Sequence, residues 1–145
     1  LVIPDGKPLL WAQRLLGHND ADQVRGEDIM HALCAKSAEA SLNIGFYGGS
    51  SDELLEMVKT NLSITHPDIN STFGYSPPFR ALTEQEDEYV VNQMNASNVN
   101  VLFVGIGCPK QEIWMAEHKD KLNCVMLGVG AAFDFIAGSQ KHAPK

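Results

Sequence analysis

The strongest constraint on how this chain folds is a pattern that recurs along it. A short run of apolar β-formers ends in glycine, and a stretch with helical spacing follows. NIGFYGG (43–49) leads into SSDELLEMVKTNL (50–62), VNVLFVGIG (99–107) into CPKQEIWMAEHKDKL (108–122), and NCVMLGVG (123–130) into AAFDFIAG (131–138). A weaker run, DINSTFGY (68–75), is separated by Pro77 and Pro78 from a helical stretch that ends near Asn98. Strands that are nearly all apolar and alternate with helices predict a mostly parallel sheet covered by helices on both faces. The fold class expected is α/β, Rossmann-like, in one domain over residues 1–145.

Local signals place the ends of these elements. LVI at 1–3 is strand-like, and PLLWAQRLLG from Pro8 makes a short helix stopped by Gly17. GEDIMHALCAKSAEA from Gly26 carries Ile29, Met30, Leu33, Cys34 and Ala38 at helical intervals, with acidic residues in its first turn. Ser50 and Glu53 have capping-box spacing, as do Thr83 and Glu86. Pro109 belongs in the first turn of its helix, where a missing N–H costs nothing. Trp11 and Trp114 are expected to pack, each on one helix face.

Composition excludes several classes. A net charge of −7, with 11 Lys and Arg scattered along the chain, gives no electrostatic footprint for nucleic acid. Cys34, Cys108 and Cys124 are widely spaced and never form a CxxC pair, so neither a zinc site nor a disulfide framework is expected, and a reducing compartment is. No run reaches the ~20 apolar residues of a spanning helix, and no basic and apolar leader is visible, which predicts a cytoplasmic protein. The five histidines, His18, His31, His66, His118 and His142, lack metal-ligand spacing and read as solvated or core residues. The start at LVIPDG, without Met and already inside a strand-like run, and the end at KHAPK are those expected of a piece of a longer protein.

In a parallel sheet the ligand lies beyond the carboxyl ends of the strands, so the strand-to-helix turns are the candidate site. Four are informative: PDG (4–6), YGGSS (47–51), GIGCPKQE (105–112) and GVGAAFD (128–134). Gly48 and Gly49 allow close approach of a diphosphate to a helix start, although any tight turn of this kind wants glycine. GIG and GVG are too short for the dinucleotide fingerprint, which argues against an oxidoreductase or a methyltransferase. Asp5 projects either into the cleft as a general base or back onto its own turn, and local pattern favours the turn. Asp134 sits between Phe133 and Phe135, where burial without a partner would raise its pKa, while a helix cap or ion pair is the alternative. Cys108, near a helix start, lacks an evident base. Lys110, Gln111 and Glu112 fan out by about 100° each in the first turn of their helix, so only one of them faces a ligand.

The segments PDGKPLLWAQRLLG, QVRGEDIM, FYGGSSDELLE, HPDI, FGY, GIGCPKQEIWM and GVGAAFDFIAGSQKHAP, in this order and spacing, resemble the WecG/TagA/CpsF family of bacterial glycosyltransferases across essentially the whole chain. The resemblance implies transfer of an N-acetylmannosamine-type sugar, or its uronic acid, from a UDP donor to polyprenyl-diphosphate-linked N-acetylglucosamine in teichoic acid, common antigen or capsule synthesis. It implies a peripheral location at the inner face of the cell membrane and no metal or other cofactor. By its place in PDG, Asp5 is implied as the base that deprotonates the acceptor hydroxyl, with inversion at the anomeric carbon. Gln111 of PKQE is implied as the sugar-pocket residue, with Lys110 at phosphate or surface and Glu112 as a structural partner. Gly48, Gly49, Gly107 and Gly130 would wall the nucleotide-sugar pocket, joined by Tyr75 of FGY and by Phe133 and Asp134 of GVGAAFD. His142 stands where the family carries Arg, and the family's N-terminal segment and C-terminal arginines are not in this sequence. A nucleotide-sugar-binding module without turnover is the alternative function, and exposed apolar edges on such a core favour self-association into homo-oligomers.

Overall fold

A computed structural model describes residues 6–140. Within it, helices α1 (Lys7–Leu15) and α2 (Gly26–Ser37) precede an alternating series. The series is β1 (Asn43–Gly48), α3 (Asp52–Thr65), β2 (Asn70–Tyr75), α4 (Glu84–Ala96), β3 (Val101–Gly105), α5 (Lys110–His118), β4 (Val125–Gly128) and α6 (Ala132–Ala137). The four strands form one sheet in the order β2-β1-β3-β4, and every pairing is parallel. This is the expected α/β fold. The strand-like run at 1–3 lies outside the described residues.

Alternation along the central strands divides the core in two. Ile44, Phe46, Val101 and Phe103 point to one face and pack with Met30 and Cys34 of α2, Leu55, Val58 and Leu62 of α3, and Phe133 of α6. Tyr47, Leu102 and Val104 point to the other and pack with Val90 and Met94 of α4 and Trp114 of α5. Burial in the first cluster pushes the Cys34 thiol up to about 12, so it behaves as a small apolar side chain. The helix after β1 therefore covers one face and the helix after β3 the other. The chain reverses direction between these two adjacent strands, and a crevice opens at their carboxyl ends.

The caps follow the sequence, with one shift. Thr83 and Glu86 form the expected capping box, with Thr83 Oγ1 accepting from Glu86 N (3.2 Å) and Glu86 Oε2 accepting from Thr83 N (2.8 Å). On α3 the cap is Ser51 rather than Ser50: its Oγ accepts from Leu54 N at 3.1 Å, because the helix begins one residue later than the Ser50–Glu53 spacing suggested. α1 ends before Gly17, which takes a left-handed φ of 96°. α5 is regular only to His118, and Leu122 returns to the core from the following turn.

Trp11 does not pack as expected. Only Leu10 of α1 is buried, and Trp11 is 59% exposed, because α1 meets the described residues along a single narrow stripe. Trp114, by contrast, is buried between two rings, Tyr47 at 4.2 Å and His118 at 4.1 Å between centroids, both near-parallel.

Candidate active site

The crevice above β1 and β3 is a cleft of about 1130 Å³. Its polar end is built from the strand-to-helix turns. Gly48 (φ 143°) lies so close to β3 that a Cβ would strike the carbonyl oxygen of Gly105, and Gly49 N donates to that same oxygen at 3.2 Å. The two turns at the switch point are thus stitched together by backbone alone, and only glycine at 48 permits it. Gly107 (φ 86°) and Gly130 (φ 56°) line the opening with free space where a side chain would stand.

The expected site residues separate into two sets. Gly49, Gly107, Lys110, Gly130 and Asp134 line the cleft. Gly48, Tyr75, Gln111 and Phe133 do not. Gly48 is pressed against β3, and Tyr75 stacks on the far side of Tyr47, with ring centroids 5.9 Å apart. Phe133 is 1% exposed, lies beneath Gly105 and meets Phe46 edge-on, so it is a core residue rather than a pocket wall. Asp5 lies outside the described residues, as does His142.

Gln111 requires the most specific correction. Expected to face a sugar, it is instead 5% exposed and turned toward β4. Its Oε1 accepts from Gly130 N at 3.1 Å and its Nε2 donates to Glu112 Oε1 at 3.0 Å. Nε2 also sits 3.0 Å from where a Cβ on Gly128 would be, so the amide is packed against the glycine turn it holds. The bond from Gln111 keeps the Glu112 carboxyl below its ordinary value and makes Glu112 a partner within its own helix start. Lys110 projects at the rim with no ion-pair partner among the described residues.

Asp134 is half-buried, and its carboxylate accepts from Ser139 Oγ at 3.3 Å, the local partner expected of a residue near a helix end.

Several cleft residues were not singled out in the sequence. Tyr47, Trp114, His118 and Asp87 form a continuous wall. His118 Nε2 lies 2.8 Å from Asp87 Oδ1 and His118 Nδ1 lies 2.7 Å from the Trp114 carbonyl, which fastens α5 to α4. Burial pushes the Tyr47 phenol up, with Asp87 adding to it, so the hydroxyl stays protonated. The segment from Pro77 to Leu82 completes the opposite wall. A signal existed for part of this wall, since Trp114 and His118 are four apart and share one helix face. Among the described residues no group of three or more His, Cys, Asp or Glu is close enough to hold a metal ion, and no helix is long and apolar enough to cross a membrane.

The family model for "Glycosyl transferase WecG/TagA/CpsF family" matches residues 1–145, the whole chain. The chain belongs to this family. Among curated WecG/TagA/CpsF-type relatives, the N-acetylglucosaminyldiphosphoundecaprenol N-acetyl-beta-D-mannosaminyltransferase of Staphylococcus aureus strain NCTC 8325 / PS 47 is 29% identical over 144 residues. The protein of the same name from strain MRSA252 is also 29% identical over 144 residues. These matches take in 99% of this chain and 54% of the relatives, so the chain spans about half their length. Within the WecG/TagA/CpsF chain described here, the matched residues include every turn that forms the polar end of the cleft.

Proposed function

We propose that this chain carries the catalytic core of an inverting glycosyltransferase. It moves an N-acetylmannosamine-type sugar from a UDP donor to polyprenyl-diphosphate-linked N-acetylglucosamine in cell-surface polysaccharide synthesis. The observation that carries the reading is the whole-chain family match, which falls on a fold whose glycine turns open a large cleft at the sheet's switch point. The donor diphosphate lies over the turns at Gly49, Gly107 and Gly130, which leave room for it, with Lys110 at the rim. As the acceptor oxygen bonds to the anomeric carbon, the bond from that carbon to UDP breaks and the leaving diphosphate takes the electron pair. Lys110 and the N–H groups at the helix starts offset its charge. Asp5, by its place in the PDG turn, takes the acceptor proton. Gln111 acts on this site by fixing the Gly130 turn, while Asp134 lines the same end of the cleft. The protein works at the inner face of the membrane, where such an acceptor is reached.

Calorimetric titration tests the donor assignment: UDP and UDP-N-acetylmannosamine should bind, and NAD and S-adenosylmethionine should not. Preferential binding of NAD would sink the reading. In an active full-length protein, Asp5→Asn should abolish transfer and leave UDP affinity nearly intact, and retained turnover would remove Asp5 as the base. A second reading, a nucleotide-sugar-binding module without turnover, rests on the chain spanning 54% of its relatives' length. UDP binding without transfer by this chain, when the longer protein is active, would favour it.

A further inference from the structure

The cleft is larger than one nucleotide sugar requires. Sites for a single small ligand occupy roughly 300–1,000 Å³, against about 1130 Å³ here. Its two ends also differ in chemistry. Away from the glycine turns, the walls are Pro77, Pro78, Phe79 and Leu82 on one side and Ile113 and Trp114 of α5 on the other. Phe79 is 87% exposed and Ile113 55% exposed, so this end presents open apolar surface.

That exposure is built into the fold. The segment bearing Phe79 is tied at its start by Ser76 Oγ donating to the Gly49 carbonyl at 3.1 Å. At its end the Arg80 guanidinium holds Glu86 through two bonds of 2.7 Å, and Glu86 in turn caps α4 through Thr83. Two consecutive prolines stiffen what lies between. A phenyl ring held out into a cleft by such ties is presented to a partner, since leaving it in water gains nothing. Proline, leucine, isoleucine and aromatic walls match branched hydrocarbon, which asks for no hydrogen bonds.

We infer that this apolar end receives the first isoprene units of the lipid-linked acceptor, with Phe79 as its lip. The inference rests on the proposed use of a polyprenyl-diphosphate acceptor. It places the two substrates end to end in one cavity, so that an acceptor anchored by its lipid brings its sugar hydroxyl to the donor at the glycine turns.

The test is calorimetry of this chain with farnesyl diphosphate, inorganic diphosphate and UDP in separate titrations, on the wild type, Phe79→Asp and Ile113→Asp. Both substituted positions are exposed, and circular dichroism melting should confirm an unchanged fold. Farnesyl diphosphate should bind at least tenfold more tightly than inorganic diphosphate, and each substitution should erase that preference while UDP affinity stays within about twofold. No preference for the farnesyl chain, or a preference that survives both substitutions, would overturn the inference. Loss of UDP affinity without loss of the farnesyl preference would also overturn it and give the ring to the nucleobase instead. If the wild type ignores UDP yet shows the farnesyl preference and its loss on substitution, the lipid end stands and the donor reading falls.

Discussion

Gln111→Leu removes one acceptor and one donor from a buried amide of nearly the same volume, so it leaves little cavity and isolates the polar term. Gly130 N, 3.1 Å from Gln111 Oε1, then loses its partner at the edge of the cleft. A backbone N–H left unpaired in such a place costs about 1–3 kcal/mol. Urea unfolding should register that loss, and amide exchange at Gly130 should quicken by tenfold or more, since each 1.4 kcal/mol is a factor of ten. Gln111→Glu separates positioning from packing. It keeps an oxygen for Gly130 N but sets a second carboxylate beside Glu112, 3.0 Å from the lost Nε2. This second variant should therefore be destabilised at neutral pH and recover as acid protonates the new carboxyl and restores a donor toward Glu112. UDP affinity should fall in both variants, because Gly130 and Ala131 line the donor end. Stability of Gln111→Leu within about 0.5 kcal/mol of wild type, with unchanged Gly130 exchange, would refute the claim that this amide holds the turn.

Two further perturbations probe the scaffold around the cleft. Gly48→Ala should cost about 2–4 kcal/mol in urea unfolding, because the new methyl meets the Gly105 carbonyl at a φ of 143°, where both strain and overpacking act; a change below about 0.5 kcal/mol would show that the two strands part easily. Thr83→Ala should lose about 1 kcal/mol through the cap of α4. At Glu86, the hydrogen bond from Arg80 lowers the carboxyl from 4.5 to about 2, so the folded state binds its proton less readily than the unfolded chain. The stability it contributes is present above pH 4.5 and is lost as pH falls toward 2, and unfolding midpoints measured across that window should show a shallower acid slope in Glu86→Gln.

The elements were legible because each carries its own periodicity, but their neighbours were not. VNVLFVGIG announces a strand buried on both faces without saying that β1 lies on one side of it and β4 on the other. The weak pattern of DINSTFGY has a physical cause: β2 is an edge strand, half-buried, and the register against β1 slips at Ile44/Gly45, where Ser71 and Phe73 pair with successive residues and Thr72 is extra. Ser50 and Ser51 each precede a residue suited to a first helical turn, and only the extended backbone at Ser51 (φ −161°, ψ 164°) decides between them. The same limit governs the glycines, since Gly48 and Gly49 read alike in sequence. One is consumed by contact with β3 and the other faces the cleft, a distinction that arises only once β1 and β3 are side by side.

For the first turn of α5 the sequence held more than the motif suggests. The buried residues of this helix are Gln111, Trp114 and His118, spaced i, i+3, i+7, which is the inward stripe of an amphipathic helix. Once Trp114 is taken as a packing residue, Gln111 must share its burial, and a buried amide must find partners inside the fold, as this one does at Gly130 and Glu112. The adjacent stripe, Lys110, Ile113 and Glu117, continued in space by Lys121, lines the cleft instead. One helix thus supplies both the side chain that fixes the Gly130 turn and the row that meets substrate, and the step of one residue from Lys110 to Gln111, about 100° around the axis, separates the two roles. A motif that names PKQE as a unit cannot make that division, whereas the helical period running through Trp114 does.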